Sequence, residues 1–489
     1  VNDKKLWQPF YISQRLGPQH ISLDGHWEMG YRDTPIASLQ DLGPLPKWIP
    51  AQVPGSVQGS LFRAGELPDP YLHMNAKKYA WIVEKVWYYR KSFRLPSAAQ
   101  GQYVFLCFDG IDYYGKIWLN GQELGRHEGM FSGPVIEVSS LLRTDAPNEV
   151  IVEVRAANYG VGDKWKPWST GKVTVPWGLT GGLGLITGGG GRKWGPGGPV
   201  PGSVGVEDYF PMGLWRGVRI EIVPYVHLER PFLVTEEATS TLARLILNVE
   251  VLANTPWLHS KLEKEVGMGV KADAPGLDTE LEKGVGSLRN TWTSRFVGSP
   301  PTLRIQLLDK ATSRPVLSRS IPLHVYEGRN WVKEKIEIPS PKLWWPNGMG
   351  EPHLYVMKLE LVREGKSIDT LQFDYGIRTI LHVASAGPRT QDRWTNWQFI
   401  INGRKFFVKG MNWWTTDILL DLPRERYEWI LGSARACGIQ LMRTWGAGIL
   451  ETEDFYDLCN KLGILVWQDF PIANMETPEW PQDVWEAQV

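Results

Sequence analysis

Three short segments late in the 489-residue chain carry residue types that can stack on a ligand and hydrogen-bond it: Asn412-Trp413, Arg443-Thr444-Trp445 and Gln468-Asp469-Phe470. An indole face offers a large flat contact area, a guanidinium presents a rigid fork of donors, and a carboxylate supplies acceptors. Each set closes an apolar stretch, FVKGMNW (407–413), IQLMRTW (439–445) and ILVWQ (464–468).

The chain between these stretches must bring their ends together. ERYEWILGSARACG (425–438) has Tyr427, Ile430, Leu431 and Ala434 at helical spacing. TWGAGILETEDFYDLCNKLG (444–463) places Glu453 and Asp454 in a first helical turn, lines Phe455, Leu458, Cys459 and Leu462 along one face, and ends on Gly463. The order is therefore βαβαβ with parallel strands, in a doubly wound sheet or a (β/α)8 TIM barrel. Both architectures collect chemistry beyond the carboxyl ends of their strands. No glycine-rich phosphate turn follows the first strand, which favours the barrel.

Upstream the period changes to that of strands. Residues 1–225 contain YVFLCFDG (103–110), KIWLNGQELG (116–125) and NEVIVEVRA (148–156), with Asn120-Gly121 as a two-residue hairpin turn. This predicts an antiparallel β-sandwich of jelly-roll type. A glycine-rich loop, 178–205, interrupts it; its GxG lacks a strand-then-helix frame, so nucleotide binding is not expected. Residues 226–383 resume with RLILNVEVL (244–252), TLRIQLLD (302–309) and HLYVMKLELV (353–362), suiting an immunoglobulin-like β-sandwich with an insertion at about 254–291. Residues 384–489 hold three βα-type units, under half of the about 250 residues of a full barrel.

Composition narrows the function class. Lys+Arg and Asp+Glu each number 53, so neither nucleic acid nor an anionic membrane is an expected partner. The apolar runs are strand-sized and the opening VNDKKLWQPFY has no apolar signal core; a soluble protein is expected, with its compartment unassigned. Cys107, Cys437 and Cys459 read as buried thiols, two of them on apolar helix faces, and neither a metal nor a cofactor is expected. Tryptophan is abundant, 25 residues, which is compatible with carbohydrate stacking as well as with sandwich cores.

The ordered motifs SLDGHWEM (22–29), VPGSV (53–57), PDPYLHMN (68–75), VWYYRKSF (86–93), FDGIDYYGKIWLNGQELGRHEGMF (108–131), DYFPMGLWRGV (208–218), KLWWPNGMGEPHLY (342–355), FDYGIRTI (373–380), KGMNWW (409–414) and RTWGAGILETEDFYDLCNKLGILVWQDF (443–470) resemble glycoside hydrolase family 2, most of all its β-mannosidase branch. The chain departs from that branch in reading WGAG for WGGG at 445–448 and Thr415 for a frequent proline.

The resemblance implies a retaining, exo-acting hydrolase of β-linked sugars, with an oligosaccharide or glycoside as its substrate partner. Such chemistry uses two carboxyls about 5 to 5.5 Å apart, one as acid/base and one as nucleophile. In the family the acid/base Glu follows an Asn at the fourth barrel strand and the nucleophile Glu lies near the seventh. Neither is expected before residue 489, so the chain should hold binding residues without the catalytic pair. By the same resemblance Trp445 stacks on the sugar, Asp208 reaches its hydroxyls, Trp413 and Asp417 sit on the first-strand loop, and Arg443 and Asp469 act as supports. Alternatives are another family 2 exo-glycosidase (exo-β-glucosaminidase, β-galactosidase or β-glucuronidase) and a non-catalytic carbohydrate-binding protein. The third strand is expected to offer an unpaired edge, with Leu458 and Leu462 poorly covered.

Overall fold

The computed structural model describes residues 14–16, 20–73, 75–95, 102–131, 133–156, 211–253, 300–384, 397–414, 416–417, 419–444 and 449–469. The glycine-rich loop and the 254–291 insertion lie outside the described residues. Two compact units form, one from residues 18–222, 346–349 and 408–489, the other from 1–17, 223–345 and 350–407. The short strand β1 (Gln14–Arg15) belongs to the second.

The first unit opens with β2 (His20–Ser22), β3 (Gly25–Arg32), β4 (Ile49–Val53), helix α1 (Val57–Arg63), β5 (Val86–Phe93), β6 (Tyr103–Phe108), β7 (Tyr114–Leu119), β8 (Gln122–Glu128), β9 (Val135–Glu137), β10 (Asn148–Arg155) and β11 (Val218–Val223). A six-stranded sheet, β4-β3-β5-β10-β7-β8, and a four-stranded sheet, β2-β11-β6-β9, share one core. Alternation explains it: Val150, Val152 and Val154 of β10, Trp87 and Tyr89 of β5 and Ile117 and Leu119 of β7 face Leu106, Phe108, Val218 and Ile220. The β7–β8 turn has Asn120 at φ 51° and Gly121 at φ 90°, the positive pair that a type I′ hairpin requires. Ile36, Leu42 and Leu45 cover part of the outer face of the larger sheet, against Val86, Tyr88, Trp118 and Ile151.

The second unit is also an antiparallel two-sheet sandwich. Its strands are β12 (Val226–Ala238), β13 (Leu242–Ala253), β14 (Thr302–Asp309), β15 (Pro315–Pro322), β16 (Gly328–Pro339), β17 (Tyr355–Arg363) and β18 (Lys366–Tyr375), followed by β19 (Ile380–Ala384), β20 (Trp397–Ile401) and β21 (Arg404–Phe406). Sheets β1-β18-β17-β14-β15 and β12-β13-β16 enclose Leu245, Leu247, Leu303, Ile305, Met357, Leu359 and Phe373, and β19-β20-β21 form a separate small sheet.

Within the first unit the chain then forms β22 (Gly410–Trp413), α2 (Arg424–Ala436), β23 (Leu441–Thr444), α3 (Glu453–Leu462) and β24 (Leu465–Gln468). The three strands are parallel and adjacent in the order β22-β23-β24. Their first strand begins at Gly410, shorter than its apolar run suggests, and Phe407 is exposed. Gly463, at φ 71°, ends α3 as expected.

Two expectations need correction. Leu458 is buried, because it turns onto the strands among Phe455, Cys459 and Ile464; the exposed apolar residues of this region include Trp429 on α2 and Trp467 on β24. Cys437 is exposed at the end of α2, since the helix stops one residue earlier and the side chain leaves its apolar stripe; Cys107 and Cys459 are buried. Among the described residues no helix is long and apolar enough to cross a membrane.

Candidate functional site

Parallel register aligns Asn412 with Arg443 and Trp413 with Thr444, then Arg443 with Trp467 and Thr444 with Gln468. The strands therefore end together. Asp469 N donates to Thr444 O at 3.1 Å, which carries the chain one residue past β24 beside Arg443. There Arg443 grips Asp469 by two bonds, Nε to Oδ1 at 3.2 Å and Nη2 to Oδ2 at 2.7 Å. The Arg443 side chain keeps 43% of its surface and Asp469 20%, so a ligand can reach both.

Trp413 lies elsewhere in depth. It is 5% exposed and packs on Tyr427 and Phe455, the latter at 4.8 Å between ring centroids. Its Nε1 donates to Glu451 Oε1 at 2.7 Å, while Tyr427 OH donates to Oε2 at 2.5 Å. Glu451 is 1% exposed, and burial pushes its carboxyl above the ordinary range against the pull of these donors. Arg216, from the sandwich side, donates to the carbonyls of Leu450 and of Glu451, the latter at 3.0 Å. This group fixes the end of the segment between β23 and α3.

Asp417 is also buried. Its Oδ2 takes the Arg426 guanidinium and its Oδ1 the backbone N–H of Leu419 at 2.6 Å, folding the loop after β22 onto α2. Ser56, at the start of α1, donates its hydroxyl to Leu419 O. Arg424 ties the two helices, reaching Asp454 at 2.5 Å and Asp457 at 2.7 Å.

The structure thus brings Arg443 and Asp469 together at open strand ends and places Trp413 and Asp417 in the packed scaffold beneath. Trp445 and Asp208 lie outside the described residues. Sequence reasoning gave no role to Arg216 and treated Tyr427 only as part of an apolar face. Glu451 carried one faint signal, a carboxylate set between apolar Ile449-Leu450 and the N-cap Thr452. Among the described residues no cluster of three or more His, Cys, Asp or Glu is placed to hold a metal.

Comparison with known families decides what this framework is. Residues 30–167 match the glycosyl hydrolase 2 galactose-binding domain-like family and residues 226–378 match glycosyl hydrolases family 2, together more than half of the chain. The chain belongs to glycosyl hydrolase family 2. It is similar to β-mannosidase B of Emericella nidulans, 27% identical over 88% of this chain and 44% of that protein, and to β-mannosidase B of Aspergillus terreus, 28% identical over 89% and 44%. Among solved structures, the β-D-mannosidase of Dictyoglomus thermophilum superposes with a TM-score of 0.69 at 25% identity, covering 96% of this chain and 49% of that one. A β-glucuronidase of Bacteroides uniformis shares the fold at 16% identity and a TM-score of 0.63, covering 97% and 45%. The chain spans about half the length of the relatives it matches.

Proposed function

We propose that this chain supplies the two sandwiches and the opening strands of a retaining exo-β-glycosidase that removes terminal β-mannosyl residues. In this reading the first sandwich is a jelly roll, the second is immunoglobulin-like, and β22, β23 and β24 are the first strands of a (β/α)8 barrel. The observation that carries it is the open Arg443–Asp469 pair at the ends of adjacent parallel strands, in a chain whose similarity to β-mannosidases runs over nearly its whole length.

Each residue then has a stated task. Trp445 stacks on the sugar and Asp208 bonds its hydroxyls, while Arg443 and Asp469 support that wall by holding each other in one geometry. Trp413 and Asp417 hold the first-strand loop from beneath. The acid/base and nucleophile carboxylates come from sequence beyond residue 489, and they form and hydrolyse the glycosyl-enzyme intermediate.

The reading is tested on protein extended through the downstream sequence. Turnover of nitrophenyl β-mannoside should exceed that of the β-galactoside, β-glucuronide and β-glucosaminide. An Asn-Glu pair about 40 to 50 residues after Asp469 should be required, as the acid/base role demands. A preference for any other of these glycosides, or activity that survives removal of that Glu, would refute it.

A further inference from the structure

The outer face of the six-stranded sheet holds a cleft of about 660 Å³, well separated in sequence from the strand ends at 413 and 469, and within the size range of ligand pockets. Its floor follows from register. Arg155 pairs with Tyr114 and Tyr114 with Glu128; two residues along, Glu153 pairs with Lys116 and Lys116 with Arg126. Residues two apart share a face, so these six form two adjacent rows, Arg155-Tyr114-Glu128 and Glu153-Lys116-Arg126, that set donors and acceptors side by side. Ile36, Leu42 and Leu45 seal only the apolar part of this face.

The floor is held rigidly. Glu153 keeps 3% of its side-chain surface and accepts Tyr88 OH at 2.9 Å, and Lys116 keeps 7%, donating to Ala37 O at 2.8 Å and pairing with Glu123 at 3.0 Å. The Arg155 guanidinium lies 5.3 Å from the centre of the Tyr114 ring. Its buried Nε sits 3.2 Å from Glu153 Oε1 yet has no aligned acceptor. Burying charged groups costs free energy that close pairing only partly offsets, and here one buried donor remains unmet.

Lys116, Arg126 and Arg155 line the cleft with Glu128 and Glu153. Glu123, just outside the lining, pairs with Lys116 at 3.0 Å and with Arg126 at 3.8 Å, so with that carboxylate counted an ionic ligand meets little surplus of opposite charge. An uncharged polyol finds both donors and acceptors at fixed positions, with an aromatic ring beside them. We propose that this cleft is a second, non-catalytic binding site for an uncharged saccharide, separate from the strand ends that carry Arg443 and Asp469.

Calorimetric titration of the full chain with mannobiose tests this, with glucuronic acid and inorganic phosphate as charged comparators. Tyr114→Ala and Arg155→Gln should each weaken mannobiose binding about tenfold or more, the range lost with an aromatic or charged contact. Asp469→Ala reports separately on saccharide held at the strand ends, and circular dichroism should show both cleft variants folded at the titration temperature. Arg155 is partly exposed, so its variant remains informative if Tyr114→Ala is unstable. Binding lost in Asp469→Ala but kept in both cleft variants would overturn the proposal. So would preference for either anion, or no saccharide heat at roughly 10 mM, where even weak sites register.

Discussion

Trp413 donates its indole N–H to Glu451 Oε1 over 2.7 Å, joining the end of β22 to the residue before the N-cap of α3. The other oxygen of Glu451 accepts Tyr427 OH from α2, so one buried carboxylate joins three elements of the parallel region. Glu451→Ala strands two buried donors at once. A loss of roughly 2–4 kcal/mol is expected, given about 1–3 kcal/mol per unmet buried group. Glu451→Gln keeps one acceptor and should lose less; equilibrium urea unfolding measures both.

The same carboxylate sets a pH dependence. Its folded-state pKa is raised above the ordinary 4.5, so the folded protein holds the proton more tightly than the unfolded chain does. Stability from this group is greatest below that value and falls as pH rises through the window between 4.5 and the raised pKa. Glu451→Gln cannot ionise. The stability gap between parent and variant should therefore narrow as pH rises from 4.5 through the raised pKa. A gap that widens over that range would contradict the assignment.

Asp417→Ala should release Arg426 and the loop after β22. The carboxylate is 6% exposed and holds both the guanidinium and the Leu419 N–H, so roughly 2–3 kcal/mol is expected to be lost in urea unfolding. Asp417→Asn keeps the turn bond and should recover about half of it.

Much of this region was legible from periodicity alone. Tyr427, Leu431 and Phe455 bury as their spacing requires, and Asn120-Gly121 makes its turn because few other residue pairs tolerate two positive φ angles. The fate of individual polar residues was not legible. Nothing local tells Glu451, closed in by Trp413 and Tyr427, from Asp469, left reachable beside Arg443, because depth is set by partners tens of residues away. Cys437 fell outside its stripe for a similar reason, since the helix ends at Ala436.

Arg443 and Asp469 should matter little for stability. Arg443 is partly exposed, and a double-mutant cycle on unfolding free energy should give a coupling of about 0.5–1 kcal/mol. In protein extended through the downstream sequence, Arg443→Lys keeps the charge but loses the two-bond grip. It should lower kcat/KM for nitrophenyl β-mannoside about tenfold or more while leaving the unfolding midpoint in place.

The most direct measurement compares turnover of nitrophenyl β-mannoside by the 489-residue chain with that of the downstream-extended protein at equal concentration. On the proposed reading, in which the catalytic carboxylates lie outside these residues, the chain alone should turn over less than about one per cent as fast, because it would have no nucleophile or acid/base route. Comparable turnover by the two would contradict the account and place the catalytic carboxylates within residues 1–489.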